Sequence, residues 1–215
     1  KRLGLDAQLL PSDWRHPVDS VAIGEALAKD VDHRIKAVCV VHNETSTGAM
    51  SDVAAVRAVI DETRHSALLM VDTISSLASI DFRHDEWGVD VTVGGSQKGL
   101  MLPPGLGFNA VSDKALAASL DATLPRAYWN WQDILDANNN GFFPYTPATN
   151  LLYGLREALS MLLDEGLENV FERHRRLAEA TRRAVAAWQL ELLCLDSAAR
   201  SHSLTAVQLP EGIDA

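Results

Sequence analysis

The sequence predicts an α/β fold, a mostly parallel sheet flanked by helices, from two observations. Short apolar runs alternate with stretches of helical periodicity, and three of those runs end in polar groups. Residues 35–41 lead into His42-Asn43-Glu44-Thr45-Ser46-Thr47-Gly48, residues 67–71 into Asp72-Thr73, and residues 90–93 into Gly94-Gly95-Ser96-Gln97-Lys98-Gly99-Leu100. Strands this continuously apolar are expected to be buried on both faces.

After the first strand, Ser51 is the expected N-cap with Asp52 in the first turn, and Val53, Val56, Val59 and Ile60 line one helical face up to His65. The second strand follows at 67–71. An irregular stretch through Phe82-Arg83-His84-Asp85-Glu86-Trp87-Gly88 then leads to the third, with His84-Asp85-Glu86 read as a solvated turn. The order β-α-β-loop-β implies parallel neighbours.

Pro103-Pro104-Gly105 makes a turn into a further strand through Val111, and Ser112-Asp113 caps a short helix to about Leu120. Residues 121–149 interleave Tyr128, Trp129, Trp131, Phe142, Phe143 and Tyr145 with Asn138-Asn139-Asn140-Gly141. That mixture suits a loop covering a site or packing on a partner subunit. Helical periodicity returns over 150–164 and 167–188, the second carrying Val170, Phe171, His174, Leu177, Ala178, Thr181, Val185 and Trp188 on one face. Gly166 marks the expected hinge between a large domain, 1–165, and the beginning of a smaller one, 166–215, whose sheet would start at 204–209.

Charge narrows the partners. A formal net charge of −10 disfavours nucleic acid and anionic membranes, and no apolar run approaches the length of a membrane span. Cys39 and Cys194 lie in apolar runs without paired spacing, read as two buried thiols of a reducing, cytoplasmic setting. The seven histidines form no metal-binding spacing, so no structural metal is expected. The chain opens at Lys1 without methionine and stops at Gly212-Ile213-Asp214-Ala215 just after a strand-like segment, which reads as an excerpt.

In an open parallel sheet, ligands bind outside the carboxyl ends of the strands, so Thr45, Asp72 and Lys98 should converge on one crevice. Alone, Lys98 reads as a solvated surface amine and Asp72 as the cap of the next turn. Together, an amine, a carboxylate and a hydroxyl suit pyridoxal phosphate: the lysine holds the aldehyde as a Schiff base and the carboxylate keeps the pyridine nitrogen protonated. A phosphate-binding P-loop is rejected, because Gln97 and Gly99 occupy the places that need glycine and a hydroxyl. Gly105-Leu106-Gly107-Phe108-Asn109-Ala110 fits a dinucleotide fingerprint in form only, since it follows two prolines and enters a strand. His42 is read as a structural histidine at the strand end.

The segments Val41-His42-Asn43-Glu44-Thr45-Ser46-Thr47-Gly48, Met70-Val71-Asp72, Gly94-Gly95-Ser96-Gln97-Lys98-Gly99-Leu100 and Pro144-Tyr145-Thr146-Pro147-Ala148-Thr149 resemble the class V, fold-type-I aminotransferases. The resemblance is strongest to the serine–glyoxylate and alanine–glyoxylate types and covers essentially the whole chain. It implies a pyridoxal 5'-phosphate enzyme passing the amino group of L-serine to glyoxylate by a ping-pong cycle, with an alanine donor as the alternative. A non-catalytic binding or structural module is the rival of another class.

The resemblance also implies roles. Lys98 would carry the cofactor and shuttle the substrate proton, and Asp72 would pair with the ring nitrogen. Thr45 would bond near the phenolic oxygen and the substrate, Gln97 would contact the phosphate or hold its neighbour, and Thr146 would reach the phosphate in the adjacent subunit. Shared sites imply a homodimer or higher homo-oligomer. Phe143 stands where relatives of the alanine–glyoxylate type carry a tyrosine, for which Tyr145 is the available substitute. The family's upstream phosphate loop and its small-domain arginine fall outside this sequence, so these residues alone are not expected to turn over substrate. A cysteine desulfurase-like lyase is disfavoured, as neither cysteine sits on a mobile loop.

Overall fold

The computed structural model describes residues 2–213; Lys1, Asp214 and Ala215, on which the reading of the chain ends partly rests, lie outside the described residues. In chain order the elements are α1 (Ser20–Lys29), β1 (Ala37–Val41), the short strands β2 (Asn43–Glu44) and β3 (Ala49–Met50), α2 (Val53–Glu62), β4 (Leu68–Asp72), β5 (Val91–Gly95), β6 (Gly107–Val111), α3 (Asp113–Leu120), α4 (Trp131–Asn139), α5 (Thr149–Glu165), α6 (Leu167–Ala187), β7 (Glu191–Leu192) and β8 (Val207–Gln208).

The main sheet runs β1-β4-β5-β6, with the first three strands parallel and β6 antiparallel to β5. The expected alternation of strand and crossover therefore holds for β1, α2 and β4. Asp52, not Ser51, caps α2, its side chain accepting from Ala55 N at 2.9 Å. The Ser51 hydroxyl instead accepts from Val18 N at 3.3 Å, tying the segment before α1 to this corner. Ser112 caps α3 as read from the sequence.

One face of the sheet packs on α1 and α2 in a core of Ile23, Leu27, Val40, Val53, Val56, Ile60, Leu69 and Val71. Each such side chain, when fully buried, contributes about 1.5–3 kcal/mol. The expectation of burial on both faces largely holds for β5, where Val91, Thr92, Gly94 and Gly95 are buried, but fails for β1. In β1 the pattern alternates: Val40 is buried, whereas Cys39 and Val41 are exposed. The apolar run hid this alternation, because isoleucine, valine and cysteine look alike on both faces of a strand while in β1 only the Val38 and Val40 face packs on α1 and α2. Cys194 is buried as expected.

Loop 100–102 packs under α5 and α6 in a second cluster of Leu100, Leu102, Ala158, Leu162 and Val170. Gly166, between those helices, sits at φ 83°. On α6, Val170, Ala178 and Val185 are buried, but Leu177 and Trp188 are exposed, so the predicted stripe is only partly covered. The aromatic region is not all loop, since α4 forms within it, capped by Asn130. Expected strand 204–209 shortens to β8, paired with β7. Residues 84–88 form the expected turn with Asp85 and Glu86 exposed, but His84 is half-buried, its Nδ1 lying 2.7 Å from Thr92 Oγ1. Among the described residues no helix is long and apolar enough to cross a membrane.

Candidate active site

Val41, Asp72 and Val93 are register partners across β1, β4 and β5, so the segments after them leave the sheet at one edge. Side chains alternate along a strand, and these three share the face opposite to the one that packs on α1 and α2. Val41 is 40% and Val93 36% exposed, and Asp72 between them is exposed as well.

The turn after β4 gathers the other segments. Thr73 donates to Val93 O from its backbone N at 2.8 Å and from Oγ1 at 2.9 Å, which locks it to β5. The lysine-bearing turn presses on the same segment so tightly that only glycine fits. A Cβ on Gly94 would stand 2.7 Å from Leu77 Cδ2, and one on Gly99 would stand 2.5 Å from Ser79 Oγ and overlap the Leu77 carbonyl. From the β1 side, Thr45 Oγ1 hydrogen-bonds Ser75 Oγ. Thus Thr45, Asp72, Gln97 and Lys98 emerge around one scaffold, residues 73–80, and all four are exposed.

Asp72 does cap the following turn: its Oδ1 accepts from Ile74 N at 2.8 Å, leaving Oδ2 without a partner among the described residues. Lys29 and Lys114 pair with carboxylates, whereas the Lys98 amine pairs with none among the described residues. His42 is buried immediately behind, its Nδ1 2.9 Å from Ser76 Oγ and its ring against Phe82 and Trp87. Burial pushes its pKa down to about 4, against the opposing pull of Asp81 and Asp52. That is the behaviour of a structural histidine.

Thr146 makes no hydrogen bond to these residues among the described ones. It lies in an exposed shallow concavity formed by residues 141–147. Around it Tyr128 is 63%, Trp129 84%, Phe142 70% and Phe143 51% exposed, an apolar patch of the kind that marks an interface. Tyr145 rests on Tyr128, ring centroids 4.8 Å apart.

Sequence reading missed three residues. The Ser75 carbonyl accepts from Asn43 Nδ2 at 3.1 Å and from Ser203 Oγ at 2.8 Å, and Asn43 Nδ2 also donates to Ser203 Oγ at 3.0 Å. A serine three places past Asp72 was visible as a hint. Ser203 offered none, being 128 residues from its partner.

The whole chain, residues 1–215, matches the family model Aminotransferase class-V. It is 51% identical over 220 residues to serine–glyoxylate aminotransferase of Methylorubrum extorquens, covering 100% of this chain and 55% of that protein. It is 46% identical to L-aspartate–glyoxylate aminotransferase of Paracoccus denitrificans, covering 100% of this chain and 54% of that protein. The crystal structure of ureidoglycine–glyoxylate aminotransferase from Bacillus subtilis superposes with a TM-score of 0.88 at 30% identity, covering 99% of this chain and 54% of that one. The chain spans about half the length of the curated relatives it matches.

Proposed function

The chain belongs to the class-V aminotransferase family and has the fold-type-I architecture of its solved neighbours, and from that premise we propose a pyridoxal-phosphate-dependent transamination of L-serine and glyoxylate to hydroxypyruvate and glycine. The observation that carries this reading is the exposed hydroxyl, carboxylate and amine of Thr45, Asp72 and Lys98 around residues 73–80, in a chain matched along its whole length by serine–glyoxylate aminotransferases.

These residues fit the cofactor. An exposed amine with no competing ion pair, a carboxylate with a spare oxygen and a glycine-lined turn are what a planar, anionic aldehyde needs. When bound, pyridoxal phosphate supplies the carbonyl that takes up the amino group and a ring that absorbs electrons from the substrate Cα. Lys98 would tether it and move the proton at that Cα. Asp72 would face the ring nitrogen and keep it protonated. Thr45 would donate to the phenolic oxygen, and Gln97 would contact the phosphate.

The same reading divides the chain into a cofactor-binding domain, 1–165, and the start of a smaller domain, 166–215. The glycine break at 166 supports it. The exposed aromatic patch around Thr146 supports a homodimer in which Thr146 serves the partner's phosphate.

Adding pyridoxal phosphate to the full-length protein should produce the visible absorption band of a lysine-bound cofactor, and Lys98→Ala should abolish it. Survival of the band in that variant would refute the lysine assignment. A protein with no band would be the non-catalytic module instead. The 46% identical L-aspartate–glyoxylate relative favours one second reading, a different amino donor on the same machinery. Half-reaction rates with serine, alanine and aspartate decide, and a clear preference for either of the latter two overturns the serine reading. Mixed Lys98→Ala and Thr146→Ala protomers should recover one intact site per heterodimer; no recovery would argue against sharing.

A further inference from the structure

Only one side chain among the described residues hydrogen-bonds the Thr45 hydroxyl, and it is Ser75. We propose that Ser75 is a positioning residue: its hydroxyl donates to Thr45 Oγ1 and thereby keeps the Thr45 proton free to point at the phenolic oxygen of bound pyridoxal phosphate. This rests on the cofactor reading above.

Two hydroxyls in one hydrogen bond hold two protons. One closes the bond and the other is left to face outward. Thr45 is exposed and Ser75 half-buried, so the outward group is the threonine. Were Thr45 the donor, it would turn only lone pairs toward an ionised oxygen, which repels them. With Ser75 as donor, the outward group offers a proton to an anion, a bond roughly twice as strong as a neutral one.

Ser75 is built to hold that direction. Its carbonyl is gripped twice, by Asn43 Nδ2 and Ser203 Oγ, and Asn43 is itself 1% exposed. The backbone of residue 75 is thereby fixed from two sides, and χ1 is the freedom that remains. Residues 43 and 203 come from opposite ends of the chain, so the turn that orients Thr45 also senses the segment after α6.

The test uses the full-length protein titrated with pyridoxal phosphate, reading the dissociation constant and the pH midpoint of the visible band. Ser75→Ala is expected to weaken binding about two- to tenfold, the range for one hydrogen bond, and to move the midpoint upward because a donor favours the less protonated state. Ser75→Thr, which retains a hydroxyl, should stay within about twofold of the parent. In a Thr45→Val background, Ser75→Ala should add less than about twofold. The melting temperature of Ser75→Ala should be unchanged, since the gripped carbonyl is retained. Binding and midpoint unmoved in Ser75→Ala, or an effect undiminished without the Thr45 hydroxyl, would overturn the proposal while leaving the cofactor reading intact. No band in the parent protein would overturn both.

Discussion

An aspartate and a lysine stand at each end of the same sheet, and the two ends treat them oppositely. At the amino end of β5, Asp90 is 4% exposed and every acceptor is used. Its Oδ2 accepts from Leu69 N at 2.9 Å and lies 3.4 Å from Lys114 Nζ, its Oδ1 accepts from the Ser112 hydroxyl at 2.9 Å, and Arg57 approaches to 3.9 Å. Lys114 also donates to Ala67 O at 2.9 Å. At the carboxyl end, Asp72 keeps an oxygen free and Lys98 has no partner among the described residues. The same residue types join strands and helix at one edge and stay exposed, with a free oxygen and an unpaired amine among the described residues, at the other. A carboxylate whose bonds are all internal stabilises; one left open costs little in the exposed state and is available for chemistry.

The contrast can be broken in four places. Lys98→Ala carries the largest expected effect, a loss of about 10²–10⁴-fold in transamination by the full-length protein with unfolding free energy unchanged within about 0.5 kcal/mol. A comparable loss of stability would make Lys98 a structural residue like Lys114. Asp90→Ala should cost about 1–3 kcal/mol in urea unfolding, because it leaves the buried Leu69 amide without its acceptor while Arg57 keeps its pair with Asp61. A cost under about 1 kcal/mol would erase the distinction between the two ends.

His42 sharpens where the open end stops. Its pKa is depressed to about 4, so between there and its unfolded value near ~6.5 only the unfolded chain binds the proton. Stability from this group is therefore full above that window and falls as pH drops through it, by up to about 3 kcal/mol. His42→Gln should flatten the difference in stability between pH 7 and pH 4 relative to the parent; an unchanged slope would mean that His42 is not held neutral. Asp72→Asn is the smallest expected change. It keeps the acceptor for Ile74 N and should shift unfolding by no more than about 0.5 kcal/mol, while weakening cofactor-dependent absorbance.

Much of this was legible along the chain. The α/β class, the three parallel strands, the α3 cap at Ser112 and the break at Gly166 follow from periodicity, capping chemistry and glycine, all local signals. So does the placement of Thr45, Asp72 and Lys98 at strand ends, because strand direction alone sends them to one edge. The Ser51 cap failed for a local reason too: two good capping residues stood side by side, and contact with Val18 N decided between them. The exposure of Cys39 and Val41 was illegible, since an apolar run does not say which of its faces has helices against it.

What the sequence determined by itself is therefore the chemistry and its order: which groups follow which strands, and that they suit one cofactor. Tertiary structure alone decided which groups remain free. Asp90 precedes an apolar strand and Asp72 ends one, but local sequence does not say which of the two has its acceptors filled. The difference comes from Ser112, Lys114 and Arg57 converging on one while the other stands between the exposed Val41 and Val93. It also decided that Ser75 would stand between Asn43 and Ser203, a contact spanning most of the chain. Local signals act over a few residues, whereas the satisfaction of a polar group depends on everything the fold brings within hydrogen-bonding distance.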